Sequence, residues 1–244
     1  MRALFATIAD RYDFITVALS YGQDRRWKRR LVRLAAIRAG DRVLDLATGT
    51  GDIAFAAAAR GARVVGLDIT YRMIELARAK GRDRREGREG REGREKQAYP
   101  AHPAHPARPA QFLVADMIAL PLPASSFDVV TTGYGLRNVP DLPLAIDEIR
   151  RVLSPGGQLL SLDFNRPSSA IVRAAYLAYL TVVGGSLGWI LHRDPDTYRY
   201  IPASIRRYPG AAGVARLLEA RGFARVTVYP VLGGLMTIHH AIRD

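Results

Sequence analysis

The chain has 244 residues and a hydrophobic share of 48%, enough to bury one sizeable core and too little for a string of domains. It contains no cysteine, which excludes disulfides, thiolate metal sites and any thiolate nucleophile. The formal charge of +13 rests on arginine, since Lys28, Lys80 and Lys96 are the lysines; it suits an anionic surface, nucleic acid or an inner membrane leaflet, and equally a compositional bias with no partner behind it.

In chain order, residues 1–40 read as helical, with stretches at Leu4–Tyr12 and Asp24–Ile37. Asp24 is the expected N-cap of the second, which carries Arg25, Arg26, Lys28, Arg29, Arg30 and Arg33 beside Trp27. The apolar run before Asp10 is too short for a signal segment, so a cytoplasmic protein is expected. After Gly40 the pattern alternates. Strands are expected at Arg42–Leu46, Arg63–Asp68, Gln111–Val114, Phe127–Thr132 and Gln158–Asp163, and helices at Asp52–Arg60, Tyr71–Lys80 and Leu142–Leu153. A helix at Ala212–Arg221 and strands at Ala224–Val228 and Leu235–Ala241 follow. Seven strands alternating with helices predict an α/β domain, 1–244, with a mostly parallel sheet covered on both faces.

Two stretches break the pattern. Residues 81–110 hold an Arg-Glu-Gly repeat and then an Ala-His-Pro repeat, with few large apolar side chains to bury; they read as a disordered, low-complexity insertion. His102 and His105 lack a third ligand nearby, and no metal is expected. Ala174–Leu191 is eighteen residues without a charge. Its three glycines and its place inside the alternation favour an apolar helix lining a lipid tunnel, or lying on a membrane, over a span.

The strongest local signal is the segment Val43-Leu-Asp-Leu-Ala-Thr-Gly-Thr-Gly-Asp52. A strand runs into a tight turn, Thr48 to Gly51, and then a helix. Gly49 and Gly51 let a ligand approach the backbone, and Asp68, with Ile69 beside it, ends the next strand where a carboxylate can accept from both ribose hydroxyls. The glycine spacing alone also fits NAD. Asp45, placed before the turn, would face a cationic amino or sulfonium group and repel a pyrophosphate. Asp116, followed by Met117, ends the third strand, where it can accept from an adenine amino group. No Tyr-x-x-x-Lys pair exists. S-adenosyl-L-methionine is the better fit.

The loop after the fourth strand, Thr132-Gly-Tyr-Gly-Leu-Arg-Asn-Val139, faces the reacting methyl. It lacks the Asn/Asp-Pro-Pro-aromatic motif of amino-methylating nucleic-acid enzymes, and without cysteine the covalent route to 5-methylcytosine is closed. No nucleic-acid substrate is expected.

Across nearly the whole chain the sequence resembles the ubiquinone/menaquinone biosynthesis C-methyltransferases. The matching segments are Ile8-Ala-Asp-Arg-Tyr-Asp13, Leu19-Ser-Tyr-Gly22, Asp24-Arg-Arg-Trp-Lys28, Gly135-Leu-Arg-Asn-Val139, Arg151-Val-Leu-Ser-Pro-Gly-Gly157 and Asp196-Thr-Tyr-Arg-Tyr-Ile-Pro-Ala-Ser-Ile205. Thr16, Asp163 and Asn165 stand where the family usually has Asn, Glu and often Ser. The resemblance implies a Rossmann-like class I methyltransferase fold, a reduced 1,4-quinol substrate with a polyprenyl tail, and the N-terminal helices as a lid. It also implies cofactor contacts from Thr50, Asp68, Asp116 and Met117, with Gly133 contributing backbone only.

Ring carbon becomes nucleophilic when a neighbouring hydroxyl loses its proton, so the site must position the ring and favour the phenolate. Arg137 is the expected stabiliser of the oxyanion and Asn138 the group that orients a quinol oxygen; the plainer reading of Arg137 is an ion pair with Asp141 or Asp147. Tyr12 and His239 are the candidates for moving the proton. Tyr198 and Arg199 are expected to close the substrate pocket, with a surface position the alternative for Arg199. Peripheral contact with the inner face of the membrane and a homodimer are compatible with this reading. The competing readings are another small-molecule O- or N-methyltransferase and a non-catalytic basic binding module.

Overall fold

A computed structural model describes residues 2–20, 22–95 and 109–244. Its centre is a seven-stranded sheet of order β3-β2-β1-β4-β5-β7-β6. The strands are β1 (Arg42–Leu46), β2 (Arg63–Asp68), β3 (Gln111–Val114), β4 (Phe127–Gly133), β5 (Leu153–Phe164), β6 (Phe223–Val231) and β7 (Met236–Arg243). The first five are parallel; β7 runs antiparallel to both β5 and β6. The expected strand positions and mixed sheet are therefore present.

Helices α3 (Asp24–Leu34), α4 (Asp52–Ala58) and α5 (Tyr71–Glu95) cover one face. There Leu31, Val32, Ile53, Ala57 and Ile74 pack on Val43, Val129 and Leu160. Helices α6 (Leu142–Val152) and α9 (Gly210–Ala220) cover the other, through Ile146, Ile149, Val214 and Leu218 on Leu44, Leu46, Val130 and Leu159. Alternate strand residues thus serve two apolar layers, which is why the strands read as near-continuous hydrophobic runs.

A third cluster sits over the carboxyl edge of the sheet. Helices α1 (Arg2–Ile8) and α2 (Tyr12–Leu19), joined by a short 3₁₀ turn, pack through Ile8 and Ile15 against α7 (Ala170–His192) and α8 (Tyr200–Arg207). Neither α2 nor α8 was separable from the sequence pattern.

Two expectations need correction. Asp24 is not the cap of α3: it is the first helical residue, Gln23 precedes it without a capping side-chain bond, and the Asp24 N–H donates to Ser20 Oγ. Its carboxylate is drawn instead to Tyr134 and Lys28. The segment expected to be disordered from residue 81 begins as a continuation of α5, to Glu95. Arg and Glu are good helix formers, which offsets part of the cost of the glycines in the repeat. Residues 96–108, with His102 and His105, lie outside the described residues.

Candidate active site

In an open α/β sheet the ligand crevice lies outside the carboxyl ends of the strands, where the strand order reverses. Here that point is between β1 and β4. A cavity of about 650 Å³ opens there, lined by Gly49, Asp68, Ile69, Asp116, Met117 and Gly133, the strand-end positions expected to hold the cofactor. Its size is that of an ordinary small-molecule site.

The glycine turn is held from below. Gly49 takes φ +54 and Gly51 φ +86, a left-handed region where a side chain is strained. The Gly49 N–H donates to Asp68 Oδ2 at 3.0 Å and the Thr70 N–H to Asp68 Oδ1 at 2.8 Å. Burial raises the Asp68 pKa against those two hydrogen bonds. Each carboxylate oxygen keeps a further lone pair for a ligand hydroxyl. At Gly49 the nearest atom to an added Cβ is Tyr12 Cε1, at 3.6 Å. A glycine turn without a Cβ at Gly49, with Asp68 and Asp116 as acceptors, fits the ribose and adenine of S-adenosylmethionine.

Asp45 does not face that cavity. It is 1% exposed, and both its oxygens are taken, by Thr48 Oγ1 at 2.6 Å and Thr131 Oγ1 at 2.8 Å. Burial pushes its pKa up to about 6 in spite of those bonds. It braces the turn from beneath, as does Thr48. Thr50 also points away: its hydroxyl donates to Asp13 Oδ1 at 2.6 Å and lies 3.4 Å from Lys80 Nζ, which ties α2 to the turn. Gly51 is the N-cap of α4, packed against Phe55 and Phe112.

A second cavity, of about 520 Å³, lies between α2, α7 and the turn before β7. It is lined by Ile15, Leu19, Val172, Tyr176, Leu180 and Leu235 among others. The charge-free stretch of the sequence therefore lines an apolar chamber. Among the described residues α7 is the one helix long and apolar enough to cross a membrane, with 28% of that window buried. Ile171, 83% exposed, and Leu232, 41% exposed, stand at this chamber's rim.

Tyr12, Tyr134, Arg137 and Tyr200 line both cavities. Tyr134 takes φ +63, a conformation costing roughly 1–2 kcal/mol for a residue with a Cβ. Its N–H donates to the Leu162 carbonyl at 2.8 Å, and its own carbonyl accepts from Arg137 Nη1 at 2.9 Å and Asn138 Nδ2 at 3.0 Å. The loop thus closes on Tyr134, and the strained backbone delivers its ring to the junction.

Arg137 is buried and ion-paired, with neither Asp141 nor Asp147 but with Asp163 at the end of β5. Asp141 caps α6 through the Leu144 N–H, and Asp147 pairs with Arg221. The guanidinium also lies 4.6 Å from the centroid of the Phe164 ring. Burial alone would lower its pKa, but Asp163 more than compensates and holds the cation. Arg137 Nε and Asn138 Oδ1 are buried with no hydrogen-bond partner among the described residues, at the loop where two cavities meet. Buried polar atoms are ordinarily paired, and both of these residues line the larger cavity.

The structure does not bring the other candidates to this junction. His239 is fully buried in β7; its Nε2 donates to the Ala211 carbonyl at 2.9 Å, and burial lowers its pKa, so it sits neutral inside the sheet. Tyr198 is buried in the cluster under α7, with its hydroxyl 2.8 Å from His192 Nε2. Arg199 lies at the surface in an exposed pair with Asp196. Tyr12 does reach the site, where burial raises its pKa and keeps it a protonated donor. Sequence reasoning missed Tyr134, Tyr200, Tyr176 and the pairing of Asp163. A bulky residue between two glycines in Gly133-Tyr-Gly135, and an acid closing the strand beside that loop, were the available signals.

The model of the ubiE/COQ5 methyltransferase family matches residues 1–243. A demethylmenaquinone methyltransferase of Thermus thermophilus is 39% identical over 91% of this chain and 91% of its own. A ubiquinone/menaquinone biosynthesis C-methyltransferase of Teredinibacter turnerae is 35% identical over 97% of this chain and 88% of its own. Among solved structures, a SAM-dependent methyltransferase of Thermotoga maritima, possibly a histamine N-methyltransferase, superposes with a TM-score of 0.64 at 16% identity. That match covers 100% of this chain and 99% of the other, and at that identity it speaks for the fold alone.

Proposed function

This chain belongs to the ubiE/COQ5 methyltransferase family and is an S-adenosylmethionine-dependent C-methyltransferase, and from that premise we propose that it methylates a ring carbon of a reduced, prenylated 1,4-quinol. The observation that carries the reading is the junction itself. A carboxylate-edged cavity and an apolar one meet at Tyr12, Tyr134, Arg137 and Tyr200, which suits a polar ring head with a hydrocarbon tail. The name of the Thermus relative favours a naphthoquinol acceptor, with a benzoquinol as the second substrate to try.

S-adenosylmethionine, when bound, supplies a methyl group on a sulfonium. Asp68 and Asp116 hold its adenosine, with Gly49, Ile69, Met117 and Gly133 as the walls. Arg137 stabilises the ring oxyanion as a fixed cation, and Asn138 Oδ1 takes a ring hydroxyl as its hydrogen-bond donor. The apolar chamber takes the first part of the tail and excludes water. The helices α1 and α2 act as a lid, latched by the contacts of Asp13 with Thr50 and Lys80. The exposed Ile171, Val172 and Leu232 at the chamber rim rest against the inner face of the cytoplasmic membrane, from which the tail is drawn, and the basic face of α3 meets anionic lipid there rather than nucleic acid.

Purified protein, methyl-labelled S-adenosylmethionine and reduced demethylated quinones, followed by mass spectrometry of the products, test the reading. Label on the ring carbon of a quinol supports it; label reaching only a catechol oxygen or an amine defeats it.

A further inference from the structure

The hydroxyl of Tyr134 has a partner that the reaction outlined above leaves unused. It donates to Asp24 Oδ1 at 2.7 Å. Asp24 is 2% exposed, stands next to Ser20 in space through its N–H at 3.1 Å, and accepts from Lys28 Nζ at 2.8 Å. Ser20 and Trp27, on either side of Asp24 in the chain, line the apolar cavity, as Tyr134 itself does. Beyond Lys28 the polar contacts continue outward. Lys28 reaches Asp52 at 3.2 Å, Asp52 reaches Lys80 at 2.6 Å, and Lys80 reaches Asp13, half exposed, at 3.0 Å. The other charged or titratable neighbours of Tyr134 are Tyr12, Asp163 and Arg137.

We infer that Asp24, acting through the Tyr134 hydroxyl, accepts the proton that the quinol ring hydroxyl gives up. The inference rests on the quinol reading. A tyrosine whose O–H is donated to a carboxylate still offers oxygen lone pairs to a substrate O–H. The ring O–H bond breaks and its electron pair stays on the ring oxygen. The proton passes to Tyr134 Oη as Tyr134's own proton passes to Asp24, and no tyrosinate forms. The adjacent ring carbon uses the released electron density to bond the incoming methyl. It then sheds its own hydrogen to water as a proton while the ring oxygen recovers one from Asp24 through Tyr134. One proton leaves overall, and Asp24 ends as it began. Neutralising Asp24 does not strand Lys28, because Asp52 remains its partner. Arg137 faces the oxyanion across the junction.

The test uses the full chain. Tyr134→Phe keeps the ring and leaves Asp24 paired with Lys28. It is expected to lower kcat on the reduced naphthoquinol by about 100-fold, the ordinary worth of a positioned proton acceptor, with KM and S-adenosylhomocysteine affinity within about twofold. Its residual rate climbs with pH as hydroxide replaces the relay. Asp24→Asn is expected to lose as much and Asp24→Glu to recover part. With S-adenosylhomocysteine present, the absorbance of the bound quinol phenolate should begin at higher pH in Tyr134→Phe than in the wild type. A kcat within threefold of wild type with an unchanged pH profile, or an unshifted phenolate onset, overturns the relay and leaves the quinol reading standing. A wild-type protein that does not methylate the quinol takes down both. Should Asp24→Asn fail to fold, Tyr134→Phe decides alone.

Discussion

Asp163 holds Arg137 from two directions, accepting its backbone N–H at 3.1 Å through Oδ2 and its guanidinium at 2.9 Å through Oδ1. One carboxylate therefore fixes both the fold of the Gly-Leu-Arg-Asn loop and the position of its cation. The pair is essentially out of water, with side-chain exposures of 3% and 0%. Asp163→Ala strands a buried charge and is expected to cost about 3–5 kcal/mol in urea unfolding. Arg137→Met with Asp163→Leu should recover much of that loss, since an apolar pair needs no partner. A single variant as stable as the wild type would show that the guanidinium has another counter-charge. Arg137→Ala should retain cofactor binding and lose most turnover.

The cofactor reading turns on Asp68. Asn at that position places an amide N–H₂ against one of the two backbone N–H groups, of Gly49 and Thr70, that the carboxylate now receives, and it loses the charge that a ribose hydroxyl would meet. Hydrogen bonds to charged groups are worth about 1.5–3 kcal/mol, so the dissociation constant for S-adenosylhomocysteine should rise on the order of 10- to 100-fold. Calorimetry reads this directly. Unchanged affinity removes Asp68 from the ribose site.

The strand ends were legible because the sheet's chemistry is local. A strand, a glycine turn and a helix are fixed by spacing, and Asp68, Asp116 and Gly133 follow from where strands stop. The junction was not legible, because its parts come from distant segments. Tyr12, Tyr134, Arg137, Asp163 and Tyr200 meet through packing of α1, α2 and α8 over the sheet edge, which no spacing in the sequence encodes. His239 misled for a related reason. Its strand was placed well, but a residue's position along a strand does not say whether its side chain meets a cavity or, as here, the Ala211 carbonyl. Asp45 was found as an acid before the turn, yet the two threonines that claim it come from the turn and from β4.

That burial of Asp45 has a pH signature. The unfolded chain ionises it near pH 4, the folded protein at about 6, so between those values the folded state holds the extra proton. Stability from this group is fully present below pH 4 and is lost as pH rises through 6. The loss should reach about 3 kcal/mol by pH 7. In Asp45→Asn the amide can serve both threonine hydroxyls without a charge. Its unfolding free energy, relative to wild type, should therefore increase by about that amount between pH 4 and pH 7. A difference that stays flat with pH would mean that Asp45 is solvated or otherwise compensated.

The rim of the apolar chamber separates tail capture from ring chemistry. Ile171 and Leu232 both line the chamber and face outward, so each is placed to meet the prenyl tail and the bilayer of the proposed reaction. Burying one such side chain is worth about 1.5–3 kcal/mol, and replacing both with carboxylates removes that contact and adds repulsion from anionic lipid. Ile171→Asp with Leu232→Asp should raise KM for a long-tailed quinol about tenfold more than KM for a tailless naphthoquinol. It should also reduce cosedimentation with vesicles of anionic phospholipid. Neither residue belongs to an apolar core cluster, so the fold itself should tolerate the change, and circular dichroism of the double variant checks that point. If KM rises equally for both substrates, the chamber does not hold the tail. If vesicle binding persists while KM for the long tail rises, the rim takes the tail and another surface meets the membrane.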